Sequence, residues 1–209
     1  MLVRRLDKTQ TWRSGTTQAK LMQTIITQGY AEQTINKSRF LAWAAACQTE
    51  REVAMMLRAI ASQHANASHL AYAFRIKTPD GVVPRFSDAG EPSGTAGKPI
   101  LQMLDGRDYI NVCIGVIRYY GGINLGTGGL VRAYGSTAKL ALEAAQTAEY
   151  VEMTHLELTI PYNQMDAITK ALAKCNGAIV NKTFNEAVTL EITLPEKDVA
   201  QIRGKFGSR

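Results

Sequence analysis

Residues 110–135 constrain the fold of this chain more than any other stretch. They begin with an apolar, β-branched run that is typical of a buried strand. A glycine-rich loop follows, and Leu130, Tyr134 and Ala138 then recur at helical spacing. A strand, a glycine-rich loop and a helix in this order leave free backbone N–H groups at the start of the helix, where an anion is favoured. The segment therefore predicts a binding site, but it does not identify the ligand.

The glycine-rich loop, residues 121–129, resembles two phosphate-binding motifs and satisfies neither. Its first glycines have the spacing of a P-loop, but Thr127 and Gly128 stand where that motif needs Lys and then Ser or Thr. A dinucleotide fingerprint would need a third glycine where Val131 stands. These mismatches argue against a nucleoside triphosphatase. They leave open an anion site and, equally, a loop whose glycines only allow tight packing against the sheet.

The positive charge of the chain is concentrated at its start. The net charge is +6, but residues 1–21 alone hold five basic residues and one acidic residue, whereas residues 150–209 hold seven of each. The first 21 residues lack periodicity and are predicted to be a disordered leader, with translation starting naturally at Met22. The alternative is that they form a genuine basic tail of the protein. The overall balance of the remaining chain does not predict a basic nucleic-acid face, although local clustering stays open.

Composition also bounds the location of the protein. The sequence has no secretory signal and no run of about 18 apolar residues, so it predicts a cytoplasmic protein without a membrane span. Three widely spaced cysteines without a C-x-x-C motif predict reduced core thiols.

Hydrophobic periodicity predicts an α+β protein of two domains. Strands are expected over 25–34 and 41–47, and the ranges 70–76, 82–86 and 112–117 also have strand patterns. Helices are predicted over 50–64, over 100–104 and after the glycine-rich loop. From residue 150 the pattern changes to β-α-β-β-α, which is most of a ferredoxin-like unit. We therefore expect one domain over 22–149 and a second over 150–209.

Three motifs together resemble the IMPACT/YigZ family. They are K-S-R-F at 37–40, F-S-D-A-G-E-P-S-G-T-A-G-K-P at 86–99 and R-Y-Y-G-G-I-N-L-G-T-G-G-L-V-R-A-Y at 118–134. The resemblance covers about residues 23–148, and the tail is similar to the small C-terminal domain of bacterial members. It implies an N-terminal domain folded like the second domain of a ribosomal protein and a C-terminal domain like one in elongation factor G. Eukaryotic members regulate translation initiation by competing for an activator of a stress kinase. For bacterial members, association with nucleic acid or the ribosome is the usual inference.

The sequence departs from the family pattern in two places. The C-terminal unit usually ends in another strand, but this sequence ends with G-K-F-G-S-R, so the last strand is expected to be missing. Family members also often carry His-x-Cys in the third strand, where this chain has His69 followed by Leu70 and Ala71.

The polar loop over 86–99 offers candidate catalytic groups. Asp88 and Glu91 could act as an acid/base pair, with His69 or Lys98 tuning them. The alternative is structural: Asp88 caps a turn, and Glu91 pairs with Lys98 or Arg118 to fix the loop. No metal-ligand spacing or nucleophile elbow supports catalysis, so the sequence favours a protein that is not an enzyme and needs no cofactor or metal.

The predicted binding surface combines cations, tyrosines and the glycine-rich loop. Tyrosines could stack on bases while arginines hold phosphates, or they could be half-buried with their hydroxyls bonded across the loop. The predicted partner is RNA, the ribosome or a translation factor. An enzyme acting on a phosphorylated small molecule and a protein–protein scaffold are the alternatives. The candidate residues are Lys37, Arg39, Lys98, Arg118, Tyr119, Tyr120, Gly121, Gly122, Gly126, Thr127, Gly128, Gly129, Arg132 and Tyr134.

Overall fold

The computed structural model describes residues 22–207, which divide into two compact units. The first unit ends at Glu149 and the second begins at Tyr150. The leader predicted over residues 1–21 lies outside the described residues. Helices and antiparallel sheets occur in both units, so the predicted α+β class is confirmed.

Over residues 22–149, the first unit contains seven strands and three helices. In chain order they are β1 (Gln23–Thr27), β2 (Gly29–Ile35), β3 (Ser38–Ala46), α1 (Glu50–Gln63), β4 (His69–Thr78), β5 (Gly81–Ser87), α2 (Gly97–Gly106), β6 (Val112–Tyr119), α3 (Gly126–Ala144) and β7 (Gln146–Glu149).

A five-stranded antiparallel sheet in the order β2-β3-β6-β4-β5 forms the centre of this unit. Successive side chains of a strand point to opposite faces, so each buried strand contributes side chains to two hydrophobic cores, one on each face of the sheet. Helices α2 and α3 pack on one face, around residues such as Phe40, Ile114 and Tyr134. Helix α1 packs on the other face, against Phe74 and Cys113. Strand β6 is the central strand, and it is buried along nearly its whole length.

Several element boundaries differ from the sequence-based prediction. The single strand expected over 25–34 is two strands, because β1 leaves the main sheet and pairs with β7, which was not predicted. Helix α2 is longer than the predicted 100–104 and starts at Gly97. Helix α3 starts at Gly126, so the last glycines of the predicted loop form its first turn.

As far as residue 207, the second unit contains a three-stranded antiparallel sheet and two α-helices. The elements are β8 (Met153–Ile160), α4 (Met165–Lys174), β9 (Ala178–Phe184), β10 (Val188–Pro195) and α5 (Val199–Phe206). The sheet order β8-β10-β9 places the third strand between the first and second. Within the described residues this sheet has no fourth strand.

The helices and the sheet of the second unit share one apolar core. Ile168 and Leu172 of α4 and Ile202 and Phe206 of α5 pack on one face of the sheet. The other face is polar, and Glu157 lies directly opposite Glu191. Across residues 22–207, no helix has both the length and the apolarity needed to cross a membrane.

Candidate anion-binding site

The K-S-R-F motif and the end of β6 meet beneath the glycine-rich loop. The Ser38 hydroxyl is buried, and it accepts hydrogen bonds from the Gly121 backbone N–H at 3.2 Å and from Arg118 Nη2 at 3.4 Å. A Cβ on Gly121 would lie 2.0 Å from the carbonyl oxygen of Lys37. Only glycine permits this close approach of the two backbones. Ser38 was not among the predicted site residues, although its position inside a family motif was a signal for it.

Arg118, Glu91 and Tyr134 form a buried polar cluster on the α3 side of the sheet. Arg118 Nη1 lies 2.7 Å from Glu91 Oε1, and both side chains are at most 6% exposed. The Tyr134 hydroxyl donates to the same carboxylate oxygen at 2.8 Å. Burial raises the pKa of Tyr134 well above its usual value, and the negative charge of Glu91 raises it further. The cluster ties the polar loop to β6 and α3.

His69 lies at the edge of this cluster. Its Nδ1 is 2.8 Å from the Ala89 carbonyl oxygen, which makes this nitrogen the donor. Its Nε2 is 3.9 Å from Glu91 Oε1, which is too long for a hydrogen bond. His69 therefore positions the loop through the Ala89 carbonyl.

Asp88 organises the polar loop itself. Its carboxylate accepts hydrogen bonds from the backbone N–H groups of Gly94, Ala96 and Gly97, at 2.8, 2.9 and 2.8 Å. Partial burial would raise the pKa of Asp88, but these amide donors outweigh it and lower the pKa below its ordinary value. The side chain thus supplies the anion for the first turn of α2, which has no cap from its own N-cap residue Ala96.

These contacts correct two predicted roles. Arg118 and Tyr134 face the interior, where they are 5% and 0% exposed, so neither side chain is presented to a ligand on the surface. Asp88 and Glu91 are not a free acid/base pair. The structure instead shows the alternative, in which Asp88 caps the loop and Glu91 pairs with Arg118.

Arg39 and Tyr119 lie on the opposite side of the sheet from this cluster. They are paired across β3 and β6, and the alternation of side chains points them toward α1. The Tyr119 hydroxyl is 2.8 Å from His64 Nδ1, and Arg39 forms an ion pair with Glu32. These two residues therefore do not share a surface with the start of α3.

The start of α3 is the exposed part of the predicted site. Gly126, Thr127 and Gly128 are exposed, and no side chain caps the helix. The N-terminal N–H groups of a helix have no intrahelical acceptors and carry a partial positive charge. Arg132, one turn further on, is also exposed, and a Cβ on Gly128 would lie 3.7 Å from its Nη1. This turn therefore presents amides and one guanidinium together.

The remaining predicted residues differ in exposure. Tyr120 is 48% exposed, its hydroxyl donates to Asn124 Oδ1 at 3.1 Å, and its ring lies 5.2 Å from the Arg118 guanidinium carbon. Lys37, Lys98 and Gly122 are exposed, whereas Gly121 and Gly129 are half-buried. The described residues contain no group of three side chains able to hold a metal ion.

Comparison with known proteins assigns the chain to a family. Residues 36–142, just over half of the chain, match the Impact N-terminal domain, and residues 158–208 match a domain of unknown function, DUF1949. The chain is also 37% identical over 173 residues to a protein of Escherichia coli (strain K12) named IMPACT family member YigZ, covering 82% of this chain and 85% of that protein. The chain belongs to the IMPACT family.

Solved structures extend this comparison. One, described as the crystal structure of a hypothetical protein, covers 89% of this IMPACT family chain and 91% of its own, with 34% identity and a TM-score of 0.67. Another, described as the two-domain translational regulator Yih1, covers 56% of this chain and 47% of its own, with 27% identity. Its TM-score is 0.37.

Proposed function

We propose that this protein is a translation-linked regulatory protein that acts in the cytoplasm by binding RNA at the start of α3. We call the exposed turn formed by Gly126, Thr127, Gly128 and Arg132 the α3 site. The link to translation rests on membership of the IMPACT family. The resemblance to this family implies a regulator of translation and, for a bacterial member, association with nucleic acid or the ribosome. Binding to RNA rests on the chemistry of the α3 site.

The observation that carries the proposal is an exposed helix start without a side-chain cap, with a guanidinium beside it. Backbone N–H groups and arginine are the usual donors to phosphate oxygens in complexes with nucleic acids. The glycines leave room for a phosphate to approach the backbone closely. The charge of Glu91 is balanced by Arg118, and the carboxylate of Asp88 is occupied by backbone N–H donors of its own loop.

The same contacts weaken the enzymatic alternative. An acid/base mechanism needs a carboxylate that can exchange a proton with the substrate. Asp88 holds three backbone N–H groups, and Glu91 holds Arg118 and Tyr134. Releasing either carboxylate would dismantle the loop that positions it.

The substitution Gly128→Asp tests the α3 site without damaging the fold. A carboxylate at the start of a helix stabilises it, and glycine is a poor helix former, so the variant should be at least as stable as the wild type. The nearest atom to a Cβ there is the end of a flexible arginine, at an ordinary contact distance of 3.7 Å. The new charge should repel phosphate and weaken binding to a labelled single-stranded RNA of mixed sequence by about tenfold at low salt.

The substitution Arg132→Gln should make the salt dependence of RNA binding shallower. The magnitude of the slope of log K against log salt should fall by about 0.7, the value for one phosphate contact on a single strand. Arg51→Gln is the matched control, because Arg51 is an exposed arginine of α1. Unchanged RNA affinity in both Gly128→Asp and Arg132→Gln would exclude RNA binding at the α3 site.

A second experiment distinguishes RNA from a protein partner. Crosslinked immunoprecipitation is carried out with and without nuclease, because a complex with a translation factor would survive digestion of the RNA.

A further inference from the structure

A groove between α4 and α5 in the second unit gathers cations that the function proposed above does not use. Its volume is about 440 Å³. Lys170 and Lys174 line it from α4, and Gln201 and Lys205 line it from α5. Each of these pairs is separated by four residues, so both members of a pair lie on the same face of their helix. We call this feature the lysine groove.

The three lysines of the groove are exposed, and none of them forms an ion pair with another described residue. Lys174 and Lys205 lie in the last turns of their helices, where a cation favours the helix dipole. The helix dipole does not require Lys174 and Lys205 to line the same groove, and it does not account for the position of Lys170. Asp198 is the one carboxylate among the lining residues.

Charge in this unit is unevenly distributed, although its total is balanced: residues 165–174 and 196–206, which contain α4 and α5, hold five basic and three acidic residues. Residues 150–209 hold seven basic and seven acidic residues. Three of the basic residues line the groove on the helical side, whereas Glu157 and Glu191 face each other on the polar face of the sheet. Equal numbers of acidic and basic residues in the sequence therefore do not exclude a basic surface on this unit.

The chemistry of the groove favours a phosphodiester backbone over a protein partner. Ala167 and Ala171 form part of its lining, and Ile202 is buried, so it offers no pocket for a large apolar anchor of the kind that dominates protein interfaces. Lysine binds phosphate as a point charge and needs no fixed geometry. No aromatic side chain lines the groove, so bases have nothing to stack on.

We propose that the lysine groove is a second nucleic-acid site, which holds the phosphate backbone of single-stranded RNA without reading its sequence. It goes beyond the α3 site, because it uses different residues on the other unit of the chain. Up to three phosphates are contacted, one by each lysine.

The test uses the full chain and a labelled single-stranded RNA of mixed sequence. The triple variant Lys170→Gln, Lys174→Gln, Lys205→Gln should reduce the magnitude of the slope of log K against log salt by about 2, because each of the three lost contacts contributes about 0.7. Its affinity at low salt should fall by about tenfold or more, and equally for RNAs of different sequence. A matched control, Arg51→Gln, Arg58→Gln, Lys182→Gln, removes the same charge from exposed positions outside the groove and should keep the wild-type slope.

Cys175 gives a readout on the unsubstituted protein. It lines the groove and is half-buried, whereas Cys47 and Cys113 are buried. Saturating RNA should slow alkylation of Cys175 by about tenfold in the wild type and in the control, but not in the lysine variant. An unchanged alkylation rate in the wild type would overturn the groove as an RNA site.

The outcomes also separate the groove from the α3 site. A wild-type salt slope in the lysine variant, together with weak binding by Gly128→Asp, would overturn the groove and leave the α3 site standing. The reverse pattern would overturn the α3 site alone. If polyglutamate protected Cys175 as well as RNA does at equal charge, the groove would bind acidic polymers in general, and its assignment to RNA would fall.

Discussion

At the scale of single residues, two carboxylates that looked like catalytic groups hold the polar loop in place. Asp88 accepts three backbone N–H groups, and Glu91 accepts from Arg118 and Tyr134. Hydrogen bonds to a charged acceptor are stronger than those between neutral groups, so each carboxylate orders several backbone segments at once. Sequence alone could not separate this role from catalysis, because both roles need the same residue types in the same loop.

Asp88→Asn should destabilise the protein by about 1–3 kcal/mol at neutral pH, because the charged acceptor of three N–H groups is lost. The stabilisation from Asp88 is complete above the pKa of an unfolded aspartate, about 3.9, since its pKa is lowered in the folded state. It is lost as the pH falls from there through the folded pKa. Urea unfolding at a series of pH values should therefore show the two proteins converging below about pH 4. Asp80→Asn, in an exposed turn, is the control, and a gap that stayed constant down to pH 2 would contradict this account.

Glu91→Ala should cost about 3–5 kcal/mol of unfolding free energy, because it leaves the buried Arg118 guanidinium without its counter-charge. Adding Arg118→Met should recover part of that loss, since the uncompensated charge is then removed. A double-mutant cycle followed by urea unfolding measures the coupling. The exposed ion pair of Arg39 with Glu32 provides the comparison, and its cycle should show a much smaller coupling. Additive effects of Glu91→Ala and Arg118→Met would show that the two side chains are independent.

At the scale of elements, sheet register decides which charges meet. In the second unit Glu191 of β10 lies directly opposite Glu157 of β8, and both are exposed. Like charges directly across a strand pair are destabilising. This pairing also makes the polar face of the sheet unsuited to phosphate, which leaves the helical side as the basic surface of the unit.

Glu191→Lys should therefore stabilise the protein by about 0.2–1 kcal/mol, because a repulsive cross-strand pair becomes an attractive one. Thermal unfolding at low salt measures the gain, which should shrink at 1 M salt as the charges are screened. Glu186→Lys, in the exposed turn between β9 and β10, makes the same charge reversal away from the Glu157–Glu191 pair. An equal gain from that variant would mean that net charge, and not the cross-strand pair, sets the effect.

At the scale of the whole molecule, the distribution of charge matters more than its sum. The net charge of +6 lies mainly in residues 1–21, outside the described residues, and the second unit is balanced. The cations proposed to bind RNA are one arginine at the start of α3 and three lysines in the lysine groove. Salt slopes of single variants are therefore more informative than the total affinity, because a change in slope reports the charge that was removed.

The sequence by itself determined the α+β class, the family and most of the elements. Apolar periodicity is a local property, so β3, β6, α1 and β10 could be predicted from their own residues. The three family motifs were visible as strings, and comparison confirmed the membership that they indicated. The exact bounds were less accessible, because the first turn of α3 consists of residues that also suit a loop.

Only the tertiary structure decided which candidate residues face a ligand. Arg118 and Tyr119 are neighbours in sequence, yet strand alternation sends them to opposite faces of the sheet. Whether a cation is paired inside the protein depends on residues distant along the chain, as Glu91 is from Arg118. The lysine groove was hidden for the same reason: its lysines come from two helices, and a count along the chain cannot show that folding brings them to one surface.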